Sequence, residues 1–304
     1  MARIVLHLLT TKGLSVLQAL VGAGHQQRIS AIEVGRDANN HADGAEEVFA
    51  LAKAHRLVAV ERGQLPDGVD EGYHFAVGWR WLLPTVPNHR LIVFHDSPLP
   101  RYRGFAPLPN MLIMGERELG VTALLGGKEY DTGAIVSQAT IPISYPCTIE
   151  QAIGFVAPLY AQVALDVVAK LDSGTLKGNP QVEEEATYSL WRDEWDYWLD
   201  FEEPSEVLER TVDACGFPYA GARCSMNGQE AIVVRSKALP DVVVRPRVPG
   251  KVIRVEDGCP VVVCGTGLLR IEQLLDAKTH ESLLPLARFR SRFGGLPTQW
   301  TLNA

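Results

Sequence analysis

The sequence has little of what marks a disulfide-built, zinc-binding or polyanion-wrapping protein. Its five cysteines stand apart, without the Cys-X-X-Cys spacing of a structural zinc site or the pairing of a disulfide framework. We therefore expect free thiols in a reducing cytoplasm and no metal site. The 29 basic residues are outnumbered by 36 acidic ones, and the net charge of −7 argues against a surface built to wrap polyanions.

Two further signatures are missing. The apolar run at residues 4–9 is too short for a membrane span and lacks a signal-peptide cleavage site, so we interpret it as a first β-strand and expect no membrane partner. The glycines at residues 22–24 follow a helical pattern, whereas a dinucleotide fingerprint places its glycines between strand and helix. A nicotinamide dinucleotide site is therefore not expected.

What is present in the first half is an alternation of strand and helix patterns. Strands are predicted at residues 3–9, 29–34, 57–60, 74–77 and 91–94, and helices at 13–22 and 45–55. Such alternation predicts an α/β fold, Rossmann-like, with a mainly parallel twisted sheet. In sheets of this kind ligands bind beyond the carboxyl ends of the strands.

The second half changes character. A long helix is predicted at residues 148–170, a polar linker at 172–185 and a helix at 204–215. Short strands are then predicted at residues 230–234, 241–244, 251–255, 260–264 and 268–272, a spacing that indicates a small barrel or sandwich. We expect a catalytic domain at residues 1–185, followed at 186–304 by a linker helix and a smaller β-rich, open-barrel-like domain.

Two titratable residues are the candidate catalytic groups. His95 follows a predicted strand end, and imidazole exchanges protons closest to working pH. Asp131 lies 36 residues later, before Thr132 and Gly133, and a carboxylate there could orient the imidazole and hold an amine substrate. Each residue alone is commonly structural, so the assignment depends on the block between them.

That block is a proline-stiffened loop with two arginines. Pro98 and Pro100 restrict the backbone, so that Arg101 and Arg103 could be presented to a phosphate or carboxylate, although a solvated basic loop has the same composition. A candidate acceptor pocket contains Trp79, Arg80, Trp81 and Asn110, where the tryptophans could also simply pack between sheet and helix. The candidate substrate loop comprises Ser97, Pro98, Leu99, Pro100, Arg101, Arg103 and Gly104.

Together these residues resemble the folate-dependent formyltransferases, the family of methionyl-tRNA, sugar and glycinamide ribonucleotide formyltransferases. The family pattern is Asn-X-His, Ser-Leu-Leu-Pro-X-X-Arg-Gly, Gly-Val-Thr and Asp-X-Gly, and it is matched here from His95 through residues 120–122 to Asp131. The resemblance implies formyl transfer from 10-formyltetrahydrofolate to an amine without a metal. It also implies that His95 relays protons or hydrogen-bonds the oxyanion, and that Asp131 orients it.

One position departs from the family pattern. Val93 stands where the family has an asparagine whose amide helps to hold the oxyanion, and a valine side chain cannot donate a hydrogen bond. The loss of one such donor typically costs about 2.7–4 kcal/mol of transition-state stabilisation. Asn110, the indole N–H of Trp79 or Trp81, or a backbone amide could replace it.

The sequence leaves several classes of acceptor molecule open. We expect a nucleotide-linked aminosugar or similar small amine, because the acidic net charge disfavours nucleic acid, whose affinity depends on phosphate contacts. A methionyl-tRNA or hydroxyornithine-type formyltransferase is an alternative, as is an acyltransferase that uses another one-carbon or carbamoyl donor. Val93 also leaves open a catalytically impaired regulatory homologue that binds folate or nucleotide. A homodimer is left open.

Overall fold

The computed structural model describes residues 1–37, 43–69 and 71–296. By its internal contacts the chain divides into two compact units. The first comprises Met1–Leu108, Arg117–Ile143 and Gln151–Trp191, and the second comprises Pro109–Glu116, Ser144–Glu150 and the described residues from Arg192 onward. The domain boundary expected at residues 185 and 186 stays a prediction.

The first unit is built on a seven-stranded sheet. Its strands in the order of the sheet are β3-β2-β1-β4-β5-β7-β8, of which the first five run parallel, while β7 and β8 join antiparallel at one edge. A two-stranded parallel pair, β6 with β9, lies apart from it. The strands are β1 (Ile4–Leu8), β2 (Ile29–Val34), β3 (Ala59–Glu61), β4 (Tyr73–Val77), β5 (Leu91–His95), β6 (Arg103–Gly104), β7 (Glu118–Leu125), β8 (Ile135–Pro142) and β9 (Tyr188–Ser189).

Five α-helices accompany the sheets of the described chain. They are α1 (Thr10–Gly22), α2 (Ala45–Ala54), α3 (Pro107–Met114), α4 (Ile149–Asp172) and α5 (Ser205–Cys215). Short 3-10 turns occupy Gln26–Arg28, Asn88–Arg90, Glu183–Glu185 and Glu194–Tyr197. The mainly parallel α/β class expected for the first half is confirmed, and the central strands β1 and β4 are buried on both faces, as is typical of such sheets.

The alternation of side chains on the parallel strands separates two chemistries. Because successive residues point to opposite faces, Phe75 and Phe94 lie on one face, where their rings approach to 5.4 Å. The other face carries His7, Val93 and His95. The carboxyl ends of β1 and β5 therefore present the polar side chains His7 and His95 on one face of the sheet, while the other face is apolar.

Helix α4 is long and apolar enough, by length and composition alone, to cross a membrane. A core helix of a globular protein passes the same test. Its side chains Val156, Tyr160, Val163 and Val167 are buried in the fold at helical spacing. We therefore interpret α4 as a core helix.

The second unit is built on a six-stranded antiparallel sheet. Its strands are β10 (Ala222–Met226), β11 (Gln229–Leu239), β12 (Val252–Glu256), β13 (Cys259–Val263), β14 (Leu268–Asp276) and β15 (Phe293–Gly294). They follow the order β12-β13-β14-β11-β10-β15, and α5 packs Leu208 and Val212 into the core of this sheet beside Phe201 and Phe293. The β-rich second domain expected from the sequence is confirmed as an open antiparallel sheet.

Two local predictions differ from the structure. The strand predicted at residues 241–244 is wrong, because this stretch is irregular and the Arg247 side chain binds the Asp241 carboxylate at 2.8 Å. Pro240 and Pro246 remove backbone N–H groups that a strand there would need. The polar stretch at 172–185, expected as a linker, belongs to the first unit, where Ile135 and Asn179 exchange two backbone hydrogen bonds of 2.8 Å.

Candidate active site

His95 ends strand β5 and is nearly buried, with 7% of its surface exposed. Its Nε2 atom lies 2.7 Å from the carbonyl oxygen of Tyr102. Because a carbonyl can only accept, Nε2 carries the proton and donates it to this bond. Atom Nδ1 faces the Asp131 carboxylate, with 3.5 Å between Nδ1 and Oδ2. The structure thus brings together the two residues that the sequence separates by 36 positions, with Nδ1 as the edge free to exchange a proton.

The loop that carries Asp131 is fixed by its backbone. Asp131 itself has a left-handed φ of 55°, and the Nε2 atom of Gln181 donates to its carbonyl at 2.7 Å. A Cβ atom at Gly133 would lie 1.7 Å from the Leu125 carbonyl oxygen, so only glycine fits there. The Asp131 carboxylate in turn accepts the backbone N–H of Gly104 at 2.9 Å. This bond ties the carboxylate to the far end of the substrate loop.

The start of the substrate loop is held by Thr122, a buried residue of β7. Its hydroxyl donates to the Ser97 carbonyl at 2.7 Å and accepts the Leu99 N–H at 3.2 Å. Gln138 on β8 donates to both Thr122 Oγ1 at 2.8 Å and the Leu99 carbonyl at 2.9 Å. Sequence reasoning noted the Gly-Val-Thr triplet as a motif but missed Gln138, which carries no local signal.

The two loop arginines lie in different environments. Arg103 is 1% exposed, and its guanidinium binds both oxygens of Glu183 at 2.9 Å and Gln181 Oε1 at 3.0 Å. Arg101 is half-exposed and pairs with Glu118 at 3.1 Å. The Arg103 side chain therefore anchors the loop to residues 181–183, while Arg101 is the arginine that a ligand can reach.

The Trp79-Arg80-Trp81 segment follows β4 and packs over the end of β2. The Trp79 ring lies 4.8 Å from the Trp81 ring, and a Cβ at Gly35 would lie 2.7 Å from Trp81. Arg80 binds the buried Asp37 carboxylate at 2.6 Å. Among the described residues the Trp79 Nε1 atom is buried without a hydrogen-bond partner.

Of the other candidates, Asn110 belongs to the second unit, where its Oδ1 atom accepts from Arg192 at 3.0 Å. Val93 lies half-buried on β5, on the same face as His95, with Ala76 and Leu124 as its cross-strand neighbours. The side chains of Val93, Ala76 and Leu124 cannot donate a hydrogen bond. A replacement for the missing amide stays a prediction.

A hydrogen-bonded chain of buried side chains, which the sequence did not predict, occupies the same face of the sheet. Glu33 accepts from His7 Nδ1 at 2.6 Å, and His7 Nε2 lies 2.9 Å from His74 Nδ1. Burial raises the pKa of Glu33, but the hydrogen bonds from His7 and from the Gly63 N–H outweigh it, so the pKa lies below its usual value. Glu33 is thus held as a carboxylate.

A second enclosed carboxylate belongs to Asp96, which directly follows His95 in sequence. The Asp96 carboxylate accepts hydrogen bonds from Lys12 of α1 and from the hydroxyl of Tyr160 of α4. Burial raises the pKa of Asp96, but Lys12 and Tyr160 together hold it below its usual value. Burial and the Asp96 charge raise the pKa of Tyr160 well above its usual value, so Tyr160 stays a hydrogen-bond donor.

Comparison with known proteins places this chain in a family. The sequence model of the formyl transferase family matches residues 76–168, and that of its C-terminal domain matches residues 193–284. A methionyl-tRNA formyltransferase of Synechococcus sp. (strain JA-3-3Ab) is 33% identical over 252 residues, which cover 76% of this chain and 77% of the relative. The chain belongs to the formyltransferase family. This formyltransferase is accordingly a one-carbon transferase.

Solved structures agree with the fold of this formyltransferase. The N-formyltransferase from Helicobacter canadensis, in complex with folinic acid and dTDP-3-aminofucose, matches with a TM-score of 0.69 at 12% identity over 89% of this chain and 99% of that chain. WlaRD, a sugar 3N-formyl transferase crystallised with dTDP and 5-N-formyl-THF, matches with a TM-score of 0.68 at 14% identity, covering 89% and 97%. At these identities the likeness establishes the fold alone.

Proposed function

We propose that this formyltransferase moves a formyl group from 10-formyltetrahydrofolate to the amine of a nucleotide-linked aminosugar. The observation that carries the acceptor class is a pair of exposed aromatic rings beside the catalytic residues. Phe105 is 40% exposed and Tyr130 is 58% exposed, and their ring centroids lie 5.2 Å apart. Exposed rings at a site mouth are suited to contact a flat ring such as a nucleobase.

The position of the two rings follows from the catalytic loop bonds. Phe105 directly follows Gly104, and Tyr130 directly precedes Asp131, so the Gly104–Asp131 hydrogen bond brings the rings together. The Phe105 N–H donates to the Ser189 carbonyl at 2.9 Å, and the Ser189 hydroxyl returns a bond to the Phe105 carbonyl at 2.5 Å. A nucleobase held there would lie one residue from the groups that handle the amine.

The polar atoms of the first unit fit a formyl-folate. Thr10 Oγ1 and Trp79 Nε1 follow the carboxyl ends of β1 and β4, and both are buried without a hydrogen-bond partner among the described residues. Orphaned buried donors of this kind are rare in native proteins unless a ligand or water satisfies them. Folate offers carbonyl and ring-nitrogen acceptors, and when bound it supplies a formyl group on nitrogen that an amine can accept.

The chain's own residues then handle the proton. An acceptor amine arrives as an ammonium and must lose a proton before it can attack. The Asp131 carboxylate is placed to hold the ammonium, and His95 Nδ1, 3.5 Å from it, is placed to take and pass on the proton. His95 Nε2 stays bound to the Tyr102 carbonyl, which fixes the plane of the imidazole during this exchange.

A second acceptor class has an observation of its own. From Gly221 to the end of the chain, 12 basic residues face 7 acidic ones, which gives a net charge of +5, whereas residues 1–220 carry 17 basic and 29 acidic residues, a net charge of −12. A basic β-rich domain suits a polyanion such as methionyl-tRNA. Five of its arginines, however, are paired with carboxylates: Arg223, Arg235, Arg247, Arg254 and Arg270.

The deciding experiment follows tetrahydrofolate release from 10-formyltetrahydrofolate in the presence of dTDP- and UDP-linked aminosugars, charged initiator methionyl-tRNA or N-hydroxyornithine. We expect release with a nucleotide-linked aminosugar, and only a weak dependence of kcat/KM on salt. Release with methionyl-tRNA, and a kcat/KM that falls steeply with salt as phosphate contacts require, would replace the aminosugar by the tRNA. Tight folate binding without release would contradict formyl transfer altogether.

The aromatic pair has its own test. Replacing Phe105 and Tyr130 together by alanine should raise KM for the nucleotide-linked acceptor by about tenfold or more while kcat changes little, because stacking of one base is worth about 1–3 kcal/mol. Phe155→Ala is the matched control, since Phe155 is an exposed ring of α4 with a similar exposure of 42%. An unchanged KM in the double variant would remove the aromatic pair from acceptor binding.

A further inference from the structure

The side-chain amide of Gln181 joins the substrate loop to the loop that carries Asp131. Its Nε2 atom donates to the carbonyl oxygens of Asp131 at 2.7 Å and of Gly133 at 2.8 Å. Its Oε1 atom accepts from Arg103 Nε at 3.0 Å. The opposite orientation of the amide would place an oxygen against two carbonyls and an NH2 group against a guanidinium. The contacts therefore fix which end of the amide faces which loop.

Gln181 is half-buried and is held from both sides along the chain. Two residues before it, the backbone of Asn179 exchanges two hydrogen bonds of 2.8 Å with Ile135, at the start of β8. Two residues after it, both carboxylate oxygens of Glu183 bind the Arg103 guanidinium at 2.9 Å. The position of the amide is thus set by the sheet on one side and by an ion pair on the other.

The backbone of Asp131 needs a support of this kind. Its φ of 55° lies in the left-handed region, which is unfavourable for a residue with a Cβ and persists only where surrounding groups hold it. Because Gln181 Nε2 binds the carbonyls on both sides of Thr132, it holds the turn at the point where the Asp131 side chain leaves the backbone.

The hydrogen bonds close a ring around the Asp131 carboxylate. This carboxylate accepts the Gly104 N–H at 2.9 Å, and Gly104 directly follows Arg103 in the chain. Gln181 closes the ring, since it binds both Arg103 and the Asp131 carbonyl. The oxygen that accepts from Gly104, Oδ2, also lies 3.5 Å from His95 Nδ1. A shift of the Asp131 backbone would therefore change two contacts of one oxygen.

We propose that Gln181 is a positioning residue of the formyl transfer, which holds the Asp131 carboxylate against the Gly104 N–H and the His95 imidazole. The inference rests on the proposed function, in which Asp131 holds the acceptor ammonium and His95 takes its proton. Misplacement of a reacting group by about 1 Å can cost about a hundredfold in rate. Loss of this support should therefore lower kcat.

The first test examines Asp131 without any substrate. Three consecutive backbone N–H groups of the substrate loop have acceptors of different kinds. Those of Arg103 and Phe105 donate to carbonyls of residues 187–189 at 2.9 Å. That of Gly104 donates to the Asp131 carboxylate. Hydrogen exchange of the ¹⁵N-labelled protein, followed by NMR, therefore reports on Asp131 at Gly104 and on the rest of the loop at its two neighbours.

Gln181→Met keeps the length of the side chain and removes its hydrogen bonds. We expect the exchange rate of the Gly104 amide to rise about tenfold, towards its value in Asp131→Ala, because a hydrogen bond to a charged group is weakened. The rates at Arg103 and Phe105 should stay within about threefold of the parent. A general loosening of the loop would raise all three rates together, and an Asp131 held by other groups would leave all three unchanged. Either result would overturn the inference.

Gln181→Glu separates the two ends of the amide. At neutral pH a glutamate still accepts from Arg103 but cannot donate to the two carbonyls. It should therefore speed exchange at Gly104 as Gln181→Met does. Parent-like exchange in Gln181→Glu would assign the effect to the Arg103 bond and contradict the inference. Gln162→Glu is the matched control, because it adds the same charge at an exposed position of α4, and it should change neither exchange nor turnover.

The second test asks whether Gln181 acts through Asp131. With the acceptor that supports tetrahydrofolate release, Gln181→Met should lower kcat about tenfold or more and leave KM for 10-formyltetrahydrofolate nearly unchanged. In the Asp131→Ala background the same substitution should lower the remaining rate less than about twofold, because the effects of groups that act as a unit are not additive. An equal loss in both backgrounds would show a merely structural role and refute the proposal.

A further variant covers the case in which Gln181→Met does not fold, as judged by circular dichroism. Gln181→Asn keeps the amide but is one methylene shorter, so it cannot reach both loops. Parent-like exchange at Gly104 in that variant would overturn the inference. Faster exchange at Gly104 in a protein that formylates none of the acceptors would contradict the proposed function while supporting the role of Gln181 in holding Asp131.

Discussion

The two units of this formyltransferase bury different kinds of side chain. Among the described residues, the first unit buries seven that carry or can carry charge, whereas the polar side chains buried in the second unit are three serines. The seven are His7, Arg28, Glu33, Asp37, His74, His95 and Arg103, and the serines are Ser205, Ser236 and Ser291. A buried charge is tolerated only where a partner compensates it, so the first unit is organised around polar pairs and the second around apolar packing.

The thiols of the second unit illustrate its packing character. Burial raises the pKa of Cys215 to about 11 and those of Cys224 and Cys264 to about 12. These cysteines therefore stay protonated and pack as small apolar side chains. Burial also acts on the carboxyl groups of the first unit and by itself would raise their pKa values. There, however, ion pairs and hydrogen bonds outweigh burial and hold Glu33 and Asp96 as carboxylates. The comparison predicts that catalysis depends on the first unit's buried pairs, while changes to the second unit affect stability.

The largest effect is expected at His95. His95→Ala should lower kcat for formyl transfer at least a hundredfold, because a positioned acid–base group contributes about 10²–10⁴-fold. Steady-state kinetics measure this, with His280→Ala as the matched control, since His280 is an exposed histidine of the second unit. A nearly unchanged rate in His95→Ala would refute its assigned role.

The second largest effect is expected at the ion pair of the buried Arg103. Arg103→Met should destabilise the protein by about 2–3 kcal/mol, less than the loss of a fully enclosed pair because Glu183 is itself exposed. It should also lower kcat, since the loop that positions Gly104 loses its anchor. Arg254→Met is the matched change in the second unit, where the exposed pair with Glu256 is screened by solvent and its loss should hardly change stability. Equal losses in urea unfolding of the two variants would contradict the comparison.

A substitution at Val93 tests whether the site beside His95 lacks a hydrogen-bond donor. Val93→Asn should keep turnover or raise it by up to about tenfold, because an amide on this face of β5 restores a donor beside His95. Val93→Leu, which changes the side chain without adding a donor, separates this gain from repacking. A collapse of kcat in a folded Val93→Asn protein would show that the pocket is arranged around an apolar residue.

Asp213 is an exception to the apolar packing of the second unit, because it is a partly buried carboxyl group. Of the substitutions considered, we expect the smallest effect at this residue. Burial and the neighbouring Glu209 raise its pKa to about 6, and one of its oxygens is buried without a partner among the described residues. A raised carboxyl pKa means that stability is fully present below about pH 4 and is lost as the pH rises through about 6.

Asp213→Asn should therefore stabilise the protein at pH 7.5 by about 1 kcal/mol, a value reduced for solvent screening because Asp213 is half-buried. The advantage should vanish below about pH 4, where both proteins carry a neutral side chain. Asp257→Asn, at an exposed position, should show no such pH dependence. A parent protein whose unfolding free energy does not fall between pH 4 and 7 would contradict the raised pKa of Asp213.

Much of the fold could be predicted from local patterns. The spacing of apolar residues predicted β1, β2, α2, α4 and α5 to within a few residues of their ends. These elements bury one face or both faces along their length, so their apolar residues recur at the strand or helix period. The strands β7 and β8 were missed, since the sequence around the Gly-Val-Thr triplet was examined as a motif and not as a strand. The error at residues 241–244 arose because three consecutive valines resemble a strand although prolines flank them.

The sequence by itself determined the α/β class, the family and the two candidate catalytic residues, because periodicity and motif order are properties of neighbouring residues. Only the tertiary structure decided which edge of His95 faces Asp131, that Arg103 is buried against Glu183, and that Lys12, Asp96 and Tyr160 meet. Their contacts join residues that are tens of positions apart, and those distances are closed by the order of the strands and the packing of α1 and α4. No local pattern encodes such pairings, since hydrogen bonds between side chains depend on where whole elements lie.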